Sequence, residues 1–221
     1  MDALPFTAQL INVFAAVLLL LSFAMLAQRR ILSLVDLLAW QGAALVGSTL
    51  AVAYSTGQQH LYYSAALTLA LKVILVPLVL HRLIRRLAVR WDTEPLLNIP
   101  ATMIVGLALV VFSFGLAQPI SALASTVTRS TLGIAIAVVM LSFLMMITRR
   151  KAISQVIGFL AMENGLFFAA TSATYGMPMV VELGVALDVL VGVVILGIFF
   201  FQIREQFDSL DLHHLESLKE D

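Results

Sequence analysis

Three ionisable side chains in this chain fall where charge is least tolerated. Lys72 and Glu163 stand near the middle of long apolar stretches, and Asp188 lies several residues inside another. An ionisable group at the centre of a bilayer costs roughly 2.5 to 3.5 kcal/mol on insertion scales, so it is retained with a partner, a wet cavity or a task. Burial raises the pKa of a carboxyl and lowers that of an amine, which brings both toward the range where protons exchange near neutral pH. A lysine facing a carboxylate inside a bundle can then pass a proton or alternate between paired and separate states. The same two groups can instead form a static ion pair that only fixes helix register. Lys72 with Glu163 or Asp188 is the candidate couple. Asp36 and Glu182 lie nearer the ends of their stretches, where a carboxylate either joins this set or serves as an interfacial or capping group. Pro77 adds irregular backbone: lacking an N–H, it frees the carbonyl of Val73, one residue beyond Lys72. Such irregularity at membrane depth persists where it is buried in protein or lines water.

The elements that must carry these residues follow from composition. Of 221 residues, 61% are apolar and 12% charged, and the mean hydropathy is +1.02. A soluble domain has roughly 45 to 50% apolar and about 25% charged residues, so an ordinary soluble globule is excluded. Crossing roughly 30 Å of hydrocarbon takes about 20 residues of helix. Seven stretches qualify, at about 7–27, 31–53, 61–80, 99–117, 131–148, 152–174 and 179–201, and they predict an all-α integral membrane protein. The N-terminus has Asp2 where a secretory signal is basic, and the apolar run behind it exceeds a signal core, so it reads as a retained first span. The net charge is zero, which gives no indication of nucleic acid as a partner. Cysteine is absent, so the chain itself offers no disulfide and no thiolate-held iron–sulfur or nickel centre.

The connections carry their own signal. Eleven of the 13 Lys and Arg residues fall in alternate loops: Arg29 and Arg30; Arg82, Arg85, Arg86 and Arg90; Arg149, Arg150 and Lys151; and Arg204 and Lys219 after the last stretch. The opposite loops hold only Arg129, and the remaining cation is Lys72. Positive charge collects in the cytoplasm, which predicts an external N-terminus and a cytoplasmic C-terminus. The tyrosines Tyr54, Tyr62, Tyr63 and Tyr175 fall at the external ends, where amphipathic rings favour the interface.

Sliding the chain against itself by 120 residues aligns Ala15 with Ala135, Leu21 with Leu141, Ser22 with Ser142, Phe23 with Phe143, Met25 with Met145, Arg29 with Arg149 and Arg30 with Arg150. Either two apolar helices with basic ends resemble each other by composition, or the chain is a parallel duplication of a three-helix unit, as in some carriers. The duplication predicts a first unit over 1–90, a linker over 91–130 containing one span, a second unit over 131–204, and a tail over 205–221. In the tail, Phe207, Leu210, Leu215 and Leu218 recur among charges, a pattern suited to an amphipathic helix against a partner or the lipid surface. His213 and His214 are adjacent and cannot face one way on a helix; they read as a solvated tail rather than a metal site. No Gly-rich phosphate loop, Ser/His/Asp arrangement, cofactor motif or catalytic constellation is evident.

The segments Lys72-Val73-Ile74-Leu75-Val76-Pro77-Leu78, Met162-Glu163-Asn164-Gly165 and Val181-Glu182-Leu183-Gly184-Val185-Ala186-Leu187-Asp188, with Leu210-Asp211-Leu212 to Leu218-Lys219, resemble hydrogenase-4 component E over nearly the whole chain. That family is a membrane subunit of energy-converting nickel–iron hydrogenases of the formate hydrogenlyase type. The second unit also resembles the K-type subunit of complex I in Arg149-Arg150-Lys151, Ile157-Gly158, and Asp188 followed by Gly192. Two departures stand out. Asp188 occupies a position where the K-type subunit has glutamate, and that subunit's other membrane glutamate falls at Leu160, one turn before Glu163. The resemblance implies a non-catalytic subunit of the bacterial inner membrane. Its partners would be antiporter-like and hydrogenase membrane-anchor subunits, and Lys72, Glu163 and Asp188 would contribute to a proton or sodium pathway. The alternative is a structural subunit joining those modules without conducting ions. A freestanding small-solute carrier is disfavoured by the absence of another polar cluster.

Overall fold

The computed structural model describes residues 6–86, 98–121 and 126–173. Among them every regular element is helical: α1 Phe6–Ala27, α2 Ile31–Thr56, α3 Gln59–Thr68, a π-helical segment Leu69–Leu75, α4 Val76–Arg86, α5 Ile99–Ser121, α6 Thr126–Thr148 and α7 Ala152–Ala173. The α3, π and α4 pieces run on as one rod, so the described residues contain six helices long and apolar enough to cross a membrane. The expected stretches from 7–27 to 152–174 correspond to these six. The seventh, 179–201, lies outside the described residues, as do Asp188, Glu182, Tyr175 and the tail.

The outward faces of these helices are apolar. Leu20, Trp40, Ile74, Leu78, Ile104, Leu107 and Val111 are all exposed on the bundle surface. Large contiguous apolar surface of this kind is foreign to a water-soluble monomer and natural against hydrocarbon. Buried polar groups are concentrated inside, the reverse of the soluble pattern. Most of the interior hydroxyls are satisfied within their own helix. Ser22 Oγ donates to Leu18 O at 2.9 Å, Ser142 Oγ to Val138 O at 2.8 Å and Ser172 Oγ to Phe168 O at 2.7 Å. This bond to the carbonyl one turn back is what a hydroxyl makes when no water is at hand.

The core forms where α1, α2, α6 and α7 meet: α1 packs on α2 and α6, and α7 on α6 and α2. Ala15, Leu18, Leu45, Ala135, Val138 and Phe168 make up its centre. The helices related by the 120-residue offset, α1 and α6, pack on each other, and Ala15 and Ala135, Ser22 and Ser142, and Met25 and Met145 are buried in both. The α2–α3 connection is a tight turn at Gly57, whose φ of 68° lies in the left-handed region where a Cβ is penalised. Its N–H closes α2 by donating to Ala53 O at 2.9 Å. Tyr54, Tyr62 and Tyr63 are exposed beside this turn. The basic loops after α1 and α6 and the end of α4 lie at the other end of the rods.

Candidate functional site

Lys72 sits in the π-helical segment, and the burial pattern explains why that segment exists. Leu61, Ala65, Thr68 and Lys72 are buried at helical spacing; the next buried position is Pro77, five residues on, followed by Leu80 and Ile84. One extra residue is accommodated between Lys72 and Pro77. The Val76 N–H accordingly reaches Leu71 O, five residues back. The wider turn moves the Val73 carbonyl away from the proline ring, which would clash with it in an ordinary α-helix. It also keeps Lys72 on the face that α2 covers. A short π stretch at a functional position is a recurrent device.

Gly42 of α2 allows the close approach. A Cβ there would lie 3.3 Å from Val73 Cγ2 and 3.4 Å from Lys72 Cβ, with the Lys72 backbone carbon at 3.5 Å. Alanine fits with small adjustment, whereas valine drives two further methyls into the π segment. Gly42→Val should destabilise the protein by about 1 to 3 kcal/mol, the usual cost of overpacking. Unfolding titrations in detergent, with Gly42→Ala as the reference, measure it.

The lysine side chain points into the bundle. Lys72 is 7% exposed and Glu163, on α7, is 3% exposed. Lys72 Nζ lies 3.9 Å from Glu163 Oε2 and 5.5 Å from the centre of the Phe167 ring. Phe167 is one turn beyond Glu163 on the same face of α7, so the ammonium is held between a carboxylate and a π-face. At 3.9 Å the ion pair lies beyond hydrogen-bond length. A cavity of about 10 Å³ adjoins it, lined by Leu38, Lys72, Val76, Leu160, Glu163 and Asn164.

Beside the pair runs a chain of neutral polar groups. Asn164 Nδ2 donates to Gln41 Oε1 at 3.2 Å, and Gln41 Nε2 donates to Ser22 Oγ at 3.0 Å. The chain crosses from α7 through α2 to α1 and ends on the Leu18 carbonyl. All three side chains are nearly inaccessible. Asn164 Oδ1 is buried with no hydrogen-bond partner. Two buried hydroxyls, Ser64 Oγ and Thr68 Oγ1, are likewise without one. They lie two turns and one turn before Lys72 on the same face, and unlike Ser22 or Ser142 they do not bond back to their own helix.

The structure brings Lys72 and Glu163 together. Asp36 is at the surface, its side chain 62% exposed, with Oδ1 3.4 Å from His81 Nε2; His81 Nδ1 hydrogen-bonds Pro77 O at 3.0 Å. Gln41 has no place in the sequence reading, and Arg149 enters it as a loop cation and a motif residue without an inward role. Arg149, at the end of α6, is 2% exposed. Its guanidinium donates to Met25 O, Leu26 O and Gln28 O at 3.3, 2.9 and 2.7 Å, closing the C-terminal end of α1. Burial, and secondarily the charge of Arg29, hold its pKa below the usual arginine value.

With this geometry in place, comparison with known proteins adds a lineage. An uncharacterized protein of Mycobacterium tuberculosis, Rv0085, is 33% identical over 212 residues, covering 96% of both chains. The chain belongs to its family. Hydrogenase-4 component E of Escherichia coli is 28% identical over 163 residues, 73% of this chain and 74% of that one, and the Shigella flexneri protein of the same name matches equally. No family model matches. No solved structure matches either.

Proposed function

We propose that this chain is a membrane subunit of a hydrogenase-type complex in the bacterial inner membrane, and that Lys72 and Glu163 belong to the path by which that complex moves a proton or sodium ion. The observation that carries this reading is the pair itself: two opposite charges, each more than nine-tenths buried, inside apolar helices and too far apart for a direct hydrogen bond. A pair built only for register would gain from direct contact. The similarity to hydrogenase-4 component E supports the complex, and Ser64 and Thr68 support a polar approach along α3. Asp188, and with less support Glu182 and Asp36, complete the proposed set. Since the chain has no cysteine, thiolate-held redox centres belong to partner subunits, which we take to be antiporter-like and hydrogenase membrane-anchor proteins. The test is proton movement in inverted vesicles carrying the complex with Glu163→Gln or Lys72→Met. Undiminished coupling in both would overturn the conduction role.

A second reading, a clamp between membrane modules, is favoured by one feature: the Asn164–Gln41–Ser22 chain ties three helices together and conducts nothing by itself.

In the proposed topology seven spans put the N-terminus outside and the C-terminus in the cytoplasm, with three-helix units over 1–90 and 131–204 joined by the α5 region. A reporter active only in the periplasm, fused after Asp221, should be silent, whereas fusion before Met1 should be active. The reverse result would invert the topology, and activity at both ends would remove the seventh span.

A further inference from the structure

We propose that the cavity between Lys72, Glu163 and Asn164 is a binding site for one water molecule, that this water completes a proton relay between the lysine and the glutamate, and that Asn164 is the positioning residue for it. Three observations converge on the site. The Nζ–Oε2 separation of 3.9 Å is too long for direct proton transfer and suits groups that share an intervening water. The cavity they line measures about 10 Å³, about the space that the centre of one water requires. The third polar wall is Asn164, 2% exposed, whose Oδ1 is buried without a hydrogen-bond partner. A buried water typically needs two to four polar partners, and this site offers an N–H donor on Lys72, a carboxylate acceptor on Glu163 and an amide acceptor on Asn164.

The neutral polar chain thereby gains a purpose. Because Asn164 Nδ2 is committed to Gln41 Oε1 at 3.2 Å, and Gln41 is committed in turn to Ser22, the amide cannot rotate without losing a buried bond. Its oxygen is held available to the water. In the relay, Lys72 gives a proton from its ammonium to the water oxygen, and the water gives one of its own to Glu163 Oε2. The ammonium becomes an amine, the carboxylate becomes an acid, and the water is regenerated. No oxidant, reductant or further reactant is involved.

The site also selects among ions. Among the described residues, a sodium ion in the cavity would find oxygen ligands on two side chains, with Leu38, Val76 and Leu160 as the remaining wall and an ammonium as its neighbour. A proton needs none of that coordination. The ion assignment rests on the conduction reading proposed above; the water site does not.

The test uses the assembled complex in lipid, comparing infrared difference spectra after a pH step in ordinary and oxygen-18 water. An O–H stretch that shifts with the isotope and changes together with the Glu163 carboxyl band is expected. It should vanish in Asn164→Leu, which removes the amide oxygen, and in Val76→Ile, which fills the cavity while leaving all three polar groups in place. Coupled proton uptake should fall on the order of a hundredfold in both, the scale of losing a positioned proton-transfer partner, with complex yield retained in Val76→Ile. Absence of an isotope-sensitive band in the wild type, or its persistence in both variants, would overturn the water site. Loss of the band with unchanged proton uptake would overturn the relay, and a shift of the band when sodium replaces a large organic cation would overturn proton selectivity. Failure of the conduction reading is distinguishable, because it appears as full coupling in Glu163→Gln with the water band still present in the wild type.

Discussion

Lys72→Met alone should reduce the yield of folded protein, Glu163→Gln alone should do the same, and the double variant should recover most of the loss. Each single change breaks a buried ion pair, which costs about 3 to 5 kcal/mol, whereas replacing both members by neutral groups of similar volume is often close to neutral. The local geometry favours this outcome. Methionine follows the path of the lysine stem past Gly42 and keeps contact with Phe167, and glutamine has the shape of glutamate and can hydrogen-bond in the same cavity. Double-mutant analysis of detergent unfolding isolates the coupling between the two sites. Additive destabilisation, with the double variant the worst of the three, would show that the pair contributes nothing to the fold. The same variants separate the two functional readings. A clamp is restored when the double variant assembles, and coupling of redox turnover to ion movement returns with it. A conduction path is not restored, because neither methionine nor glutamine exchanges a proton.

Lys72 and Glu163 were visible in the sequence because ionisable residues in mid-span stand out against their neighbours; their proximity required coordinates, and Asp188 lies outside the described residues. The apolar stretches located the six described spans to within a few residues for the same reason: hydrocarbon thickness fixes length, and little else competes with it. What hydropathy could not register is the neutral polar chain. Gln41 and Asn164 lower a window average too little to interrupt a span, and nothing in their spacing indicates that helices α2 and α7 meet there. The π segment was hidden differently. Pro77 signalled irregular backbone near Val73, but Val73, Ile74, Leu75 and Val76 are all apolar. The five-residue step in burial from Lys72 to Pro77 therefore leaves no mark in the pattern of residue types. Asp36 illustrates the opposite case. Its sequence position allowed either membership of the charged set or an interfacial role, and the structure adds that its carboxylate is exposed and 3.4 Å from His81 Nε2, a partner that the sequence did not indicate.

Arg29 and Arg149 are aligned by the 120-residue offset, and replacing them should have very different consequences. Arg149→Met should cost about 3 to 5 kcal/mol. One guanidinium nitrogen serves three carbonyls at the end of α1, hydrogen bonds to a charged donor contribute about 1.5 to 3 kcal/mol each, and bonds that share a donor do not add in full. The positive charge also sits at the negative end of the α1 macrodipole, a favourable arrangement in a partly buried setting. Methionine would leave those carbonyls in a space closed to water. Arg29, by contrast, is exposed, and Arg29→Met should change stability by no more than about 0.5 kcal/mol, as surface substitutions usually do. It also removes the like charge that, after burial, lowers the pKa of Arg149, which offsets part of any loss. Arg149→Lys should recover part of the loss, since it keeps the charge but lacks the planar fork that reaches several acceptors at once. Unfolding titrations in matched detergent decide the matter. Equal effects at the two positions would mean that the α1 terminus finds other partners, and that the difference in burial between the two arginines has no energetic weight at this contact. A large loss confined to Arg149 would identify the α6–α1 junction as a contact that holds the bundle together, with one of the two aligned arginines turned inward to close a helix end while the other stays at the surface.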